Sequence, residues 1–122
     1  MLELQNVKKS FDGVSVLKDI SVSIEDSEIV SILGSSGSGK TTLLNLILGI
    51  IKPDSGTIAF NGNDITNVPM EKRGFNIVFQ DYALFPNLNA LKNITYGLKN
   101  YPGRSSPEEV EAMIDLLDLR EH

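Results

Sequence analysis

The sequence predicts an α/β fold, and three patterns in its 122 residues predict it. Glu28–Leu33 is a short, β-branched apolar run of strand length, Gly34–Thr41 is a glycine- and serine-rich loop, and Leu43, Leu44, Ile47 and Leu48 then recur at helical spacing. Ahead of this strand–loop–helix unit, Ile20, Val22 and Ile24 alternate with Ser21 and Ser23, the period of a half-buried antiparallel strand with one wet face. Further on, Ser106-Pro107-Glu108-Glu109 combines an N-cap serine, proline at the first helical position and glutamate three residues after the cap, so a helix begins there.

Taken in chain order, Leu2, Leu4 and Gln5 to Val7 read as an opening strand that turns at Asp12-Gly13. The alternating strand through Ile24 turns at Glu25-Asp26-Ser27 into the apolar run before the loop. The helix after the loop ends at Gly49, a residue suited to a left-handed cap. Lys52-Pro53-Asp54-Ser55-Gly56 is a turn leading to the strand Thr57–Phe60, and Asn61-Gly62-Asn63-Asp64 turns again. Phe75–Phe79 is read as a further short strand ending at Gln80, and a loop with Pro86 precedes a helix over Ala90–Leu98. The helix from Pro107 carries an apolar stripe of Val110, Met113, Ile114 and Leu117, with Glu108, Glu111, Asp115 and Asp118 in solvent. Tyr101-Pro102-Gly103-Arg104-Ser105 is the most linker-like stretch and a place for subdomains to join.

Gly34-Ser35-Ser36-Gly37-Ser38-Gly39-Lys40-Thr41 fits G-x-x-x-x-G-K-[ST], the Walker A loop that wraps nucleotide phosphates. Gly37 and Gly39 open backbone conformations closed to other residues, so that successive N–H groups of Ser35, Ser36, Gly37, Ser38 and Gly39 can face phosphate oxygens. The partial positive charge at the helix start adds to this. Lys40 supplies a point charge for the β- and γ-phosphates. The Thr41 hydroxyl suits Mg²⁺, which takes most of its ligands from water and phosphate, and Thr42 is placed to bond the α-phosphate.

Composition bounds the rest. A hydrophobic content of 41% is enough for a globular core, and no apolar stretch approaches the ~20 residues that span a bilayer. The start of the chain shows neither a basic segment nor a long apolar one, and there are no cysteines, so a cytosolic placement is expected. A net charge of −5 argues against a nucleic-acid interface, which collects lysine and arginine on one face.

The order of Phe11, the Walker A loop, Lys52–Gly56 and Ile77-Val78-Phe79-Gln80-Asp81-Tyr82-Ala83-Leu84-Phe85-Pro86 resembles the ATP-binding subunit of ABC transporters. The resemblance covers nearly the whole chain, which corresponds to the N-terminal half of the family's nucleotide-binding domain. Tyr82–Pro86 and Asn93–Leu98 look most like importers of polyamines, ferric iron and inorganic anions. It implies a P-loop NTPase core, part of a parallel sheet with helices, together with an antiparallel β subdomain within about residues 1–80. About residues 81–122 would hold the Q-loop and the start of a helical subdomain. It also implies ATP and Mg²⁺ as cofactors, Phe11 stacking on adenine with Val16 as a small apolar contact beside the base, and Gln80 as the Q-loop residue that touches Mg²⁺ and links the site to the membrane. Tyr82–Pro86 would dock on a transmembrane permease subunit at the cytoplasmic face of the membrane, and a second ATP-binding subunit would complete a homodimer.

The family's Walker B aspartate, the glutamate after it, its LSGGQ segment and its switch histidine find no match. Met113–Leu119 imitates Walker B in composition, but its capping box and stripe mark it as helix, and His122 stands at the end of the chain. The chain is therefore expected to be truncated, to bind MgATP and to hydrolyse it negligibly. A different P-loop enzyme would place arginines in a lid beyond the loop, whereas Arg73, Arg104 and Arg120 are scattered. A non-catalytic nucleotide-binding module stays open, as does a soluble ABC protein, which the acidic balance and Tyr82–Pro86 disfavour.

Overall fold

The computed structural model describes all 122 residues and resolves into two compact units, Met1–Ile77 and Val78–His122. The break falls after the segment 75–77 and not at Tyr101–Ser105.

In the first unit, β1 (Leu2–Phe11) and β2 (Val14–Ile24) form a long hairpin, α1 (Lys40–Leu48) follows, and β3 (Ser55–Phe60) and β4 (Asn63–Asp64) form a second hairpin. The sheet order is β2-β1-β3-β4 and every pairing is antiparallel. Both hairpins close through the residue pairs that favour such turns, Asp12-Gly13 with φ of 48° and 79° and Asn61-Gly62 with φ of 49° and 79°. Two successive positive φ values match the right-handed twist of the strands they join.

Alternation alone would not bury both Leu4 and Val7, which lie three residues apart on β1 and are 2% and 0% exposed. A bulge resets the phase: the register shifts between Leu4 and Val7, and Asn6 takes φ of 50°. Its amide N–H donates to Ser21 Oγ (2.9 Å) and its side chain donates to Asp19 Oδ1 (2.9 Å). On β2 a second shift, at Asp19 (φ 69°), brings Ile20 back toward the core, and a third leaves Val16 as an extra residue between the partners of Lys9 and Ser10. Leu4, Val7, Leu17, Leu46, Ile58 and Ile65 form the core.

Helix α1 begins and ends where the sequence places it, with Gly39 at its start and Gly49 at its end in left-handed conformations, φ 96° and 85°. Of the expected stripe, Leu48 is buried and Leu43 and Ile47 pack against the core, whereas Leu44 is 46% exposed and Leu46, outside the stripe, is fully buried. The expected strand over Glu28–Leu33 is not formed: Ile29 and Leu33 are 95% and 91% exposed, and no segment of the chain pairs with this run. Phe75–Phe79 likewise forms no strand. Both runs have strand composition, but a strand exists only through a ladder with a neighbour. Phe75 instead packs edge-on against Phe60, centroids 5.0 Å apart. A short helix α2 (Met70–Arg73), not expected from the sequence, precedes that segment.

At the end of β4, Asp64 closes an acid-sensitive turn. Its carboxylate accepts from Thr66 Oγ1 (2.6 Å) and Thr66 N (2.9 Å), and Thr66 Oγ1 in turn accepts from Ile58 N (2.9 Å). The Thr66 hydroxyl first, and then its backbone N–H, hold the Asp64 carboxyl below its ordinary value of about 3.9. A folded-state pKa below the unfolded one gives stability that is present above ~3.9 and lost as pH falls through the lowered value. Asp64→Asn should therefore flatten the acid limb of the thermal-midpoint profile between pH 6 and pH 2, checked by scanning both proteins across that range.

The second unit contains α3 (Ala90–Ile94), a 3₁₀ turn at Tyr96–Lys99 and α4 (Pro107–Leu116). The single helix expected over Ala90–Leu98 is thus divided at Thr95, whose hydroxyl bonds back to Leu91 O (2.9 Å) and competes with the helix ladder. The capping box of α4 is complete: Ser106 Oγ accepts from Glu109 N (3.1 Å), and Glu109 Oε2 accepts from Ser106 N (2.8 Å). Of its apolar stripe only Ile114 is buried, while Met113 and Leu117 are exposed.

Candidate functional site

The phosphate loop hangs between the unpaired run 28–33 and α1, and its geometry is set locally. Ser38 N donates to Ser35 O (3.1 Å), Gly37 has φ of 78° and Gly39 has φ of 96°. The two glycines serve different needs. A Cβ on Gly37 would meet nothing within 4 Å, so the left-handed backbone alone calls for glycine there. A Cβ on Gly39 would also lie 3.1 Å from Leu17 Cδ2 and from Val16 Cγ1, so this residue lets the loop settle against β2.

The ladder of α1 opens with Leu43 N donating to Gly39 O (2.9 Å), so the N–H groups of Lys40, Thr41 and Thr42 precede it, and no side chain caps them. No acidic residue stands in the first turn. Lys40 Nζ reaches across the loop and donates to Gly34 O (2.6 Å), Ser35 O (2.7 Å) and Ser38 Oγ (3.3 Å), which uses all three of its donors. Val16, Ser36, Gly37, Gly39, Lys40, Thr41 and Thr42 line a cavity of about 420 Å³. The uncapped start of α1 and the Lys40 residue border one concavity, while the Lys40 ammonium itself is held on Gly34, Ser35 and Ser38 beside it, an arrangement with the makings of a polyphosphate site. The bulge on β2 is what brings Val16 to that wall.

Of the other residues named from the sequence, Ser35 and Ser38 shape the loop through the bonds just given. Phe11 stands outside the cavity wall at the tip of the β1–β2 hairpin, paired across it with Val14 and 44% exposed. Gln80 belongs to the other compact unit, in an exposed turn.

That turn opens a segment with its own anchor. Tyr82 and Ala83 take φ of 63° and 49°, and Tyr82 and Leu84 stand exposed. Asn93 fixes the base of the segment: its Oδ1 accepts from Phe85 N (2.9 Å), while its Nδ2 donates to Phe85 O, Leu88 O and Asn89 O at 3.0–3.2 Å. The Phe85 ring lies 4.3 Å from that of Tyr96.

Sequence reasoning missed three partners of the site. Lys9 Nζ sits over the Phe11 ring, 5.3 Å from its centroid, and is bonded to Asp54 Oδ1 (3.3 Å). Its position two residues before Phe11 on a strand was a usable signal, whereas nothing local pairs Asp54 with it. The third is Arg73, which holds the far end of α1.

Comparison with known proteins bears on the whole arrangement. The family model described as ABC transporter matches residues 17–122. The chain belongs to the ABC transporter family. Spermidine/putrescine import ATP-binding protein PotA of Fusobacterium nucleatum is 47% identical over 99% of this chain and 33% of the relative. The protein of the same name from Acetivibrio thermocellus is 52% identical over 81% of this chain and 28% of the relative. This ABC transporter chain thus spans about a third of the length of such curated relatives. Among solved structures, the dimeric bacterial ABC transporter cassette MJ0796 superposes with a TM-score of 0.75 at 36% identity, over 90% of this chain and 52% of that one. A post-hydrolysis form of MJ0796 bound to ADP and Pi superposes with a TM-score of 0.72 at 35% identity. The α/β ABC ATPase fold expected from the sequence is therefore the fold of this chain, and nucleotide binding goes with the family.

Proposed function

We propose that this chain is the nucleotide-binding part of an ATP-binding, energy-coupling subunit of an ABC importer. The observation that carries the reading is the cavity lined by Ser36, Gly37, Gly39, Lys40, Thr41 and Thr42 at the uncapped start of α1. The importer assignment leans on the printed names of the spermidine/putrescine relatives.

The triphosphate lies against Ser35, Ser36, Gly37, Ser38 and Gly39. Lys40 turns from Ser38 Oγ, its longest contact, toward the β- and γ-oxygens, and Thr42 meets the α-phosphate. The base stacks on Phe11 beside Val16. Thr41 lines the cavity, and its hydroxyl, a hard neutral oxygen, fits Mg²⁺, whose other ligands would come from phosphate and water. Bound there, the ion neutralises phosphate charge. No carboxylate or histidine lines the cavity, so positioning of the attacking water is assigned to the longer protein and binding to this chain.

Tyr82–Pro86, apolar at its tip and braced by Asn93, suits docking on a membrane permease at the cytoplasmic face, with a second ATP-binding subunit as the other partner. No helix of the chain is long and apolar enough to cross a membrane, in keeping with a peripheral subunit.

Calorimetric titration with MgATP tests the reading. Lys40→Ala removes one charge-assisted contact and should weaken binding by about 1.5–3 kcal/mol, roughly tenfold to a hundredfold. Equal affinity of the two proteins would overturn the site.

A further inference from the structure

The ring at the tip of the β1–β2 hairpin is built into a cluster that extends past the expected nucleotide contacts. Lys9 and Phe11 are two residues apart on β1, and the Lys9 ammonium lies over one face of the ring, 5.3 Å from the centroid. The Lys9 side chain is only 17% exposed, so its stem is packed and its head has little freedom. Asp54 fixes that head at 3.3 Å. The Asp54 carboxylate is in turn held by Ser10 N (2.7 Å), and Asp54 N donates to Lys8 O (2.9 Å). The turn before β3 is thereby tied to the end of β1 on both sides of Lys9.

We infer that Lys9, braced by Asp54, is a positioning residue for base recognition, holding the Phe11 ring from one face so that a purine stacks on the other. This inference rests on the nucleotide reading above. Two physical effects support it. A cation over an aromatic face is attracted to the ring's negative quadrupole and restricts its motion, so less freedom is lost when a base arrives. The same cation draws electron density from the ring, which favours stacking against an electron-rich base on the opposite side. The effect acts on the base and leaves the phosphates untouched.

That selectivity gives the test its form. The chain is titrated with MgATP and, separately, with magnesium tripolyphosphate, which lacks base and sugar. Lys9→Met should weaken MgATP about two- to fivefold, the range of a cation–π contact, and leave tripolyphosphate unchanged. Lys9→Arg, which keeps a cation able to lie over the ring, should restore parental affinity for MgATP. Phe11→Ala is the reference for loss of the stacking face. If Lys9→Met binds MgATP like the parent while Phe11→Ala does not, the inference falls and the base site stands. If Lys9→Met weakens both ligands equally, Lys9 acts through general charge or fold and the inference falls. If Phe11→Ala also binds like the parent, the assignment of Phe11 to the base falls, and this inference with it.

Discussion

Gly56→Ala is expected to destabilise the first unit by roughly 2–6 kcal/mol, combining about 1–3 for a non-glycine residue at a strained positive φ with about 1–3 for overpacking. Gly56 lies near the start of β3 with φ of 88°, and the atom that alanine adds would run into the carbonyl oxygen of Asn6 and lie 2.6 Å from that of Gln5. Those obstacles are backbone, so no rotamer change relieves them. They also belong to the bulge on β1 that brings Val7 into the core after Leu4, so retreat of β1 would disturb the register on which both residues depend. Hydrogen exchange at the amides of Leu4 and Ile58, read by NMR in parent and variant, measures the effect where it arises. Unchanged protection at both amides would mean that the bulge accommodates the methyl group.

Gly56 also shows where sequence reading succeeded and where it stopped. The turn read over Lys52–Gly56 holds only up to Asp54, since Ser55 and Gly56 already belong to β3, whereas Asp12-Gly13, Asn61-Gly62, the Gly39 and Gly49 ends of α1 and the Ser106 capping box were legible from local residues. Each is fixed by residues within four positions of one another. The reason Gly56 must be glycine is not local, because the Asn6 backbone lies fifty positions earlier. The same distinction divides the site. The phosphate loop depends on its own glycines and the helix that follows, so Ser36, Gly37, Gly39, Lys40 and Thr41 of its lining lie within the motif, whereas Val16 reaches the wall from β2. Lys9 and Asp54 meet only because β1 pairs with β3. The runs 28–33 and 75–79 failed as strands in the converse way: composition supplied the propensity, and no neighbour in this chain supplied the ladder. On α1 the expected face held at Leu43, Ile47 and Leu48 and failed at Leu44, for a related reason. A periodic count cannot tell Leu44 from Leu46 until the sheet decides which side of the helix it covers.

Arg73→Met should cost about 3–5 kcal/mol, because the arginine is a buried hub of hydrogen bonds to four carbonyls. Its side chain is almost wholly enclosed, and four bonds fan out from the guanidinium: Nε to Val68 O (2.8 Å), Nη1 to Leu46 O (2.9 Å) and Ile47 O (3.0 Å), and Nη2 to Thr66 O (3.1 Å). All are carbonyls, and burial pulls the guanidinium below its ordinary pKa without approaching neutrality. Leu46 and Ile47 lie in the last turn of α1, where Leu46 O also accepts from the Gly49 cap (3.2 Å) and a cation meets the negative end of the helix dipole. Methionine keeps the length and the apolar stem and removes every donor, so the loss measures the hydrogen bonds and charge rather than the packing. A lysine in the same place would restore the charge without the planar fork, so Arg73→Lys should recover only part of the stability. A Cβ on Gly49 would lie 2.6 Å from Arg73 Nε and 2.8 Å from Cζ, so Gly49→Ala strikes the same hub from the other side. The two changes should be less than additive when combined, with urea denaturation as the measurement. Full additivity would mean that Gly49 is required only for its left-handed backbone. The consequence reaches the site through α1 itself, since the nine-residue helix fastened by Arg73 at one end carries Lys40, Thr41 and Thr42 at the other.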